Sequence, residues 1–336
     1  MKPWLLLPPQ LAHDLSPLAL QLYSLFRSGP TPAWNSFVWK NIVFKNRLGL
    51  AGGVDKNAEL LNVWAKIGCG FVEIGTVTPE YQKPNPGKIL DRSLADQALW
   101  NKMGFPSAGA DEVFYNLKNF KENSSLPVFV NIGKNRSTEN SKAHLDYILL
   151  LERFYLLADA FVVNISSPNT LGLRELSKPE NLNSFLRPIL QAKKDIHSNL
   201  SDINPKVEKP ILLKLSPDLE SDDLKRIIDT ALANNLDGFV LTNTTLSRNL
   251  EKKFPLEGGI SGKPLSALSK QALQIVCNHL GPEKEKKMLI SVGGVMTADD
   301  VFERIDMGAD LVEVYTALIL EGPQFFRKVS GQFNGK

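Results

Sequence analysis

Eight times along this chain a short β-rich run ends in glycine or small polar residues and gives way to helix-like or loop sequence. The runs are RLGLAGGV (47–54), FVEIGTV (71–77), VFVNIGK (128–134), FVVNISS (161–167), ILLKLSP (211–217), GFVLTNT (238–244), MLISVGG (288–294) and LVEVYTA (311–317). Continuously apolar strands belong to sheets buried on both faces. Eight of them separated by helix-like sequence predict an α/β fold, a (β/α)8 TIM barrel, over the alternative of an open doubly wound sheet. The first strand end, AGGVDK, lacks the G-x-G-x-x-G fingerprint of dinucleotide-binding open sheets. Helices are expected at Ala58–Ile67, Leu145–Ala158, Asp222–Asn234, Leu265–Leu280 and Ala298–Met307. Within Asp222–Asn234, the residues Leu224, Ile227, Ile228 and Leu232 share one side at helical spacing. Thr297 reads as a helix start, with acids in the first turn. Two long excursions, 78–127 and 245–287, are expected to be functional loops, and GGISG (258–262) reads as a flexible one.

A chain of 336 residues is long enough for such a barrel and a short extension. The net charge of +3 gives little support to nucleic acid as a partner. Cys69 and Cys277 argue against a disulfide framework, and with four scattered histidines they show no zinc-ligand spacing. No run approaches the about 20 apolar residues that span a bilayer, and neither a secretory signal nor a route to glycosylation is evident. The N-terminal stretch is rich in leucine and aromatics but is cut by Pro3, Pro8, Pro9 and Pro17. Ser16–Pro17 reads as an N-cap with proline at the first helical position, which would begin a second short helix. Two readings stand for this arm: a helical segment packed on the core, or a small helical hairpin in a membrane interface.

In such barrels the C-terminal ends of the strands carry the chemistry. Here they offer Lys56, Gly75–Thr76, Asn131, Asn164–Ser167, Lys214, Thr242–Asn243–Thr244, Gly293–Gly294 and Tyr315–Thr316. That many amides and hydroxyls at one level suit a planar heterocycle with carbonyl and N–H groups on its edge. The glycines of SVGGVMTADD, between the seventh strand and a helix start, suit an anion. Lys214, inside an apolar strand, needs an anion to neutralise it. It could be a Schiff-base nucleophile, a fixed charge for an electron-rich ring, or the partner of a barrel carboxylate.

The motifs GGVDKNAE (52–59), EIGTVTP (73–79), NKMGF (101–105), VNIGKN (130–135), NISSPNTLGLR (164–174), LLKLSPDL (212–219), TNTT (242–245), GGISGKPL (258–265), SVGGV (291–295) and YTAL (315–318) run through nearly the whole chain. In this order they resemble the dihydroorotate dehydrogenases, specifically the quinone-linked, membrane-associated class. The resemblance implies one FMN in the barrel and oxidation of dihydroorotate to orotate in pyrimidine synthesis. FMN contacts would fall to Gly52, Gly53, Val54, Asp55, Lys56, Thr76, Asn131, Asn164, Lys214, Thr242, Gly262, Gly294, Tyr315 and Thr316. The pyrimidine would meet Lys56, Asn101, Lys102, Met103, Gly104, Phe105, Asn164, Ser167, Asn169, Asn243 and Thr244.

By the same resemblance, Ser167 is the catalytic base, with Thr170 and Phe105 positioning a relay and excluding solvent. Soluble relatives carry cysteine at that place. The resemblance further implies an arm over residues 1–35 and a catalytic barrel over 36–336. His13, Arg92 and Tyr315 would line a quinone tunnel, in a peripheral protein on the cytoplasmic face of the cell membrane needing no protein partner. Rival readings are a soluble dehydrogenase of the same family, a phosphate-binding aldolase using Lys214, and a catalytically silent membrane-associated binding protein.

Overall fold

The structure is a computed structural model, and it describes residues 2–26, 32–200 and 208–335. Eight parallel strands close into a barrel. They are β1 (Leu48–Leu50), β2 (Phe71–Val77), β3 (Val128–Ile132), β4 (Ala160–Asn164), β5 (Ile211–Leu215), β6 (Gly238–Leu241), β7 (Met288–Val292) and β8 (Leu311–Val314). The ring shuts where β8 pairs with β1, with Val312 opposite Leu48 and Glu313 opposite Gly49. This is the (β/α)8 fold expected from the sequence, and every strand falls inside one of the eight runs except β4, which begins one residue earlier, at Ala160. The strands are buried throughout because helices cover their outer faces while a second apolar cluster fills the axis.

The predicted helices are present with shifted ends. Leu61–Ile67 starts three residues later than expected, because the Asp55 carboxylate accepts the N–H groups of Glu59 (2.9 Å) and Leu60 (3.0 Å) ahead of it. Ala298–Asp306 begins with a capping box between Thr297 and Asp300.

At the N-terminal end of the barrel a hairpin, Phe37–Trp39 with Ile42–Phe44, acts as a plug. Phe44 meets Phe71 and Phe129 edge-on at 5.9 and 6.0 Å. Lys40, in the hairpin turn, reaches the Asp237 carboxylate. At the opposite end the two long excursions join in a three-stranded antiparallel sheet of Leu90–Ser93, Ala98–Asn101 and Gly259–Gly262. GGISG is thus largely a strand rather than a flexible loop. Its backbone is fixed by pairing with Ala98–Asn101, and Thr245 and Ile260 exchange two further hydrogen bonds.

The arm corrects the sequence reading as well. After a 3-10 turn at Pro3–Leu5, one 17-residue helix runs from Pro9 to Leu25 straight through Pro17. Proline removes the N–H that would bond the carbonyl four residues back. That carbonyl belongs to His13, and the Ser16 hydroxyl donates to it at 2.7 Å. Ser16 therefore repairs the helix instead of starting a new one. Trp4 Nε1 donates to the Ile319 carbonyl (2.8 Å), Lys2 pairs with Glu321 (2.9 Å), and Arg92 donates to the carbonyls of Leu5 and Leu7. Leu20 and Tyr23 pack on the barrel core. Leu11, Leu15, Leu18, Leu22 and Leu25, at helical spacing, remain exposed. Among the described residues no helix is long and apolar enough to cross a membrane.

Because Phe44 is completely buried where the plug meets the axis, Phe44→Ala is expected to cost about 3–5 kcal/mol of stability. Chemical denaturation of the purified protein measures it, and a loss within experimental error would show that the plug does not support the barrel.

Candidate active site

The strand ends converge on a cavity of about 990 Å3, its open mouth included. Its floor is an ion pair. Lys214 on β5 donates to Glu73 Oε1 at 2.6 Å, and Asn131 on β3 donates to the same oxygen at 2.7 Å. Burial pulls the Lys214 ammonium down, but the attraction of the acidic side chains facing it, Glu73 foremost, outweighs burial and holds its pKa above the usual value. Of the three origins open for Lys214 in the sequence, the barrel-carboxylate pairing is present. Gly52 sits against this pair, since a Cβ there would lie 2.0 Å from Glu73 Oε1.

The β4 end carries the densest polar network. Asn164 Nδ2 donates to Thr76 Oγ1 at 2.9 Å, and Asn243 Nδ2 donates to Ser166 Oγ at 3.0 Å. Ser167 Oγ accepts the Asn169 N–H at 3.2 Å, and Asn169 Nδ2 donates to Asn101 Oδ1 at 2.8 Å. Three groups of this region, Asn131 Oδ1, Asn169 Oδ1 and Thr170 Oγ1, are buried without a hydrogen-bond partner. Such groups are costly unless a ligand satisfies them. Lys56 also lines the cavity, and no ion pair or hydrogen bond neutralises its ammonium among the described residues. Burial brings its pKa down to about 8, against the pull of Asp55 and Glu59.

Gly262, Gly293 and Gly294 form the far wall. Gly294, at φ +72°, approaches the start of the helix Ser266–Leu280 so closely that a Cβ would lie 2.3 Å from Ser266 Cα. Behind this loop the fully buried Arg304 donates to the Gly293 carbonyl at 2.9 Å and to Ser269 Oγ at 3.0 Å. With the Gly293 carbonyl held from behind, the glycine backbone is left facing the cavity, an arrangement suited to an anion.

The structure therefore brings together Gly52, Gly53, Lys56, Thr76, Asn101, Met103, Gly104, Phe105, Asn131, Asn164, Ser167, Asn169, Lys214, Thr242, Asn243, Thr244, Gly262, Gly294, Tyr315 and Thr316. Val54, Asp55 and Lys102 do not line the cavity. Val54 packs on the core, Asp55 holds the next helix and Trp64 Nε1 (3.0 Å), and the Lys102 side chain pairs with Glu257. His13 and Arg92 also lie outside the lining, on and against the arm. Burial first, and then the Lys56 charge, push the His13 pKa down to about 4.

Sequence reasoning passed over Glu73, Glu313 and Arg304. Glu73 and Glu313 share a signal that could have found them, a lone acid in the middle of an apolar strand, in FVEIG and LVEVY. Arg304 gives none, being one more charge on an amphipathic helix.

A family model described as dihydroorotate dehydrogenase matches residues 36–335. The chain belongs to the dihydroorotate dehydrogenase family. A dihydroorotate dehydrogenase (quinone) from Thermus thermophilus is 40% identical over 291 residues, covering 86% of this chain and 79% of its own. Another from Sulfurimonas denitrificans is 35% identical over 342 residues, covering 99% and 92%. The crystal structure of the Eimeria tenella enzyme in complex with ferulenol superimposes with a TM-score of 0.84 at 33% identity, covering 96% of this chain and 90% of that one. The family is flavin-dependent. The cavity's partnerless amide oxygens, its glycine wall and its uncommitted cation are a donor and acceptor set that fits such a group.

Removing one partner of a buried ion pair strands the other charge, so Lys214→Met is expected to cost about 3–5 kcal/mol. Lys214→Met combined with Glu73→Gln should recover part of that loss. Thermal melts of the ligand-free variants test this, and equal stability of the two variants would mean that the pair is not coupled.

Proposed function

We propose that the cavity binds FMN and dihydroorotate together, with Ser167 as the base of the reaction. The activity is oxidation of dihydroorotate to orotate in pyrimidine biosynthesis, with a quinone as electron acceptor. The observation that carries the site assignment is the meeting of one uncommitted cation, Lys56, with the amides of Asn101, Asn164, Asn169 and Asn243 in a single cavity. A pyrimidine carboxylate presents an anion to the first and alternating N–H and C=O groups to the second.

Gly52, Gly53, Thr76, Asn131, Asn164, Lys214, Thr242, Gly262, Gly294, Tyr315 and Thr316 would hold the FMN. When bound, FMN supplies the acceptor for the hydride that leaves C6 of the substrate. Ser167 removes the proton from C5. A hydroxyl is a poor base in water, and no histidine or carboxylate is hydrogen-bonded to Ser167 Oγ among the described residues. The Asn169 N–H fixes that oxygen and stabilises negative charge developing on it. Thr170 Oγ1, buried and without a partner, provides the next station for the proton. Phe105, buried and held at φ +55°, helps to close the cavity against water.

Residues 36–336 form the catalytic unit in this reading, and residues 1–35 form an arm that joins it to the cytoplasmic face of the cell membrane. The exposed leucine stripe of the Pro9–Leu25 helix supports that role, since an unpartnered apolar stripe suits the headgroup boundary. Arg92, His13 and Tyr315 would then flank the quinone's route, and no protein partner is required.

Purified protein is expected to couple dihydroorotate oxidation to quinone rather than to fumarate. Ser167→Ala should lower kcat by about 10²–10⁴-fold while keeping bound flavin, and a variant retaining most of its turnover would remove Ser167 from the mechanism. A variant with Leu15→Glu and Leu22→Glu should lose sedimentation with phospholipid vesicles and raise the KM for quinone, leaving flavin reduction by dihydroorotate intact. Unchanged vesicle binding would rule out the arm as the anchor.

A further inference from the structure

The cavity floor holds more carboxylate than its one lysine can neutralise. Glu73 and Glu313 are both completely buried. Glu73 Oε1 takes the two available donors, from Lys214 and Asn131. Glu73 Oε2 and both oxygens of Glu313 have no donor at all. Little stands between the two side chains, because β1, the strand between them, is nearly bare on its inner face. Glu313 lies opposite Gly49, where a Cβ would run into the Phe71 ring at 2.3 Å, and the next inward residue is Ala51. The two glutamates thus point into the same interior from the strands on either side of β1, with only these small residues between them.

The groups facing this pair are few. Lys214 and Asn131 are the polar ones, and β4, β6 and β7 contribute Val162, Val240 and Val292. Tyr315, one layer nearer the mouth, and Lys56, in the loop after β1, are the other titratable side chains of the cavity wall. Only Glu73 and Lys214 act appreciably on Glu313. Burial first, and then the Glu73 charge, push its carboxyl well above the usual range, against the weaker pull of Lys214.

We propose that Glu313 is a carboxylic acid in the working enzyme, its proton held against Glu73 Oε2, and that this neutral acid leaves Lys214 free to serve the bound redox ring. Glu73 is the anion of the pair because it already receives the ammonium and the amide. With the proton in place, Lys214 faces one negative charge. Without it, Glu313 would compete for the two remaining ammonium donors and draw them away from the cavity. Glu313 is thus a positioning residue, acting through Lys214.

Infrared spectra of the purified holoenzyme containing isotope-labelled glutamate test this. A glutamic-acid C=O band is expected at neutral pH, shifted in D2O and missing in Glu313→Gln. Because Gln replaces one neutral group by another, the variant should keep its flavin affinity within about twofold, along with the flavin midpoint potential and its pH slope. Absence of the band in the wild type, or a raised potential in Glu313→Gln as expected on loss of a negative charge, would overturn the proposal. Should Glu313→Gln fail to fold, the wild-type spectrum decides alone. The potential rests on the flavin assignment and the band does not, so a protein purified without flavin but with the acid band would count against that assignment only.

Discussion

Closure of the strand ring is the constraint on which everything else rests. When β8 pairs with β1 the sheet has no free edge, and eight strand ends that are up to about 260 residues apart in sequence come to one rim. The close fit of Gly49 to Phe71 and of Gly52 to Glu73 shows how little space remains inside once the ring is shut. Polar groups can enter that interior only in mutually satisfying sets. The Lys214, Glu73 and Asn131 group is such a set, and it sits where the apolar filling of the axis gives way to the cavity.

The strands were legible because burial on both faces demands uninterrupted apolar residues, a signal written locally. The rim residues were legible for the complementary reason: polar groups that follow directly on such strands must converge when the strands do. What stayed hidden depends on contacts between distant segments. Gly259–Gly262 reads as a loop until Ala98–Asn101 pairs with it, and Trp100 Nε1 donates to the Glu257 carbonyl at 2.7 Å across 157 positions. Asp55 stands within a motif that suggests ligand contact, yet its carboxylate turns inward to hold the next helix. Pro17 looked like a helix start because the hydroxyl before it resembles a cap. Only the hydrogen bond to the His13 carbonyl shows that the same pair of residues can carry a helix onward.

Local repair and distant anchoring together define the arm. Its helix is continuous, its first residues are tied to the barrel through Trp4, Lys2 and Arg92, and Leu20 and Tyr23 seat it on the core. The leucines turned outward remain exposed among the described residues. An amphipathic element built this way presents one surface to the protein and keeps another for its surroundings.

The aromatic plug of Phe44, Phe71 and Phe129 has a consequence for traffic. It fills the axis at one end of the barrel, so the cavity is closed from below. Reductant and oxidant cannot pass through from opposite ends, as they would in an open tube. Under the function proposed above they must share the rim, the small anion entering beside the antiparallel sheet and the apolar acceptor beside the arm.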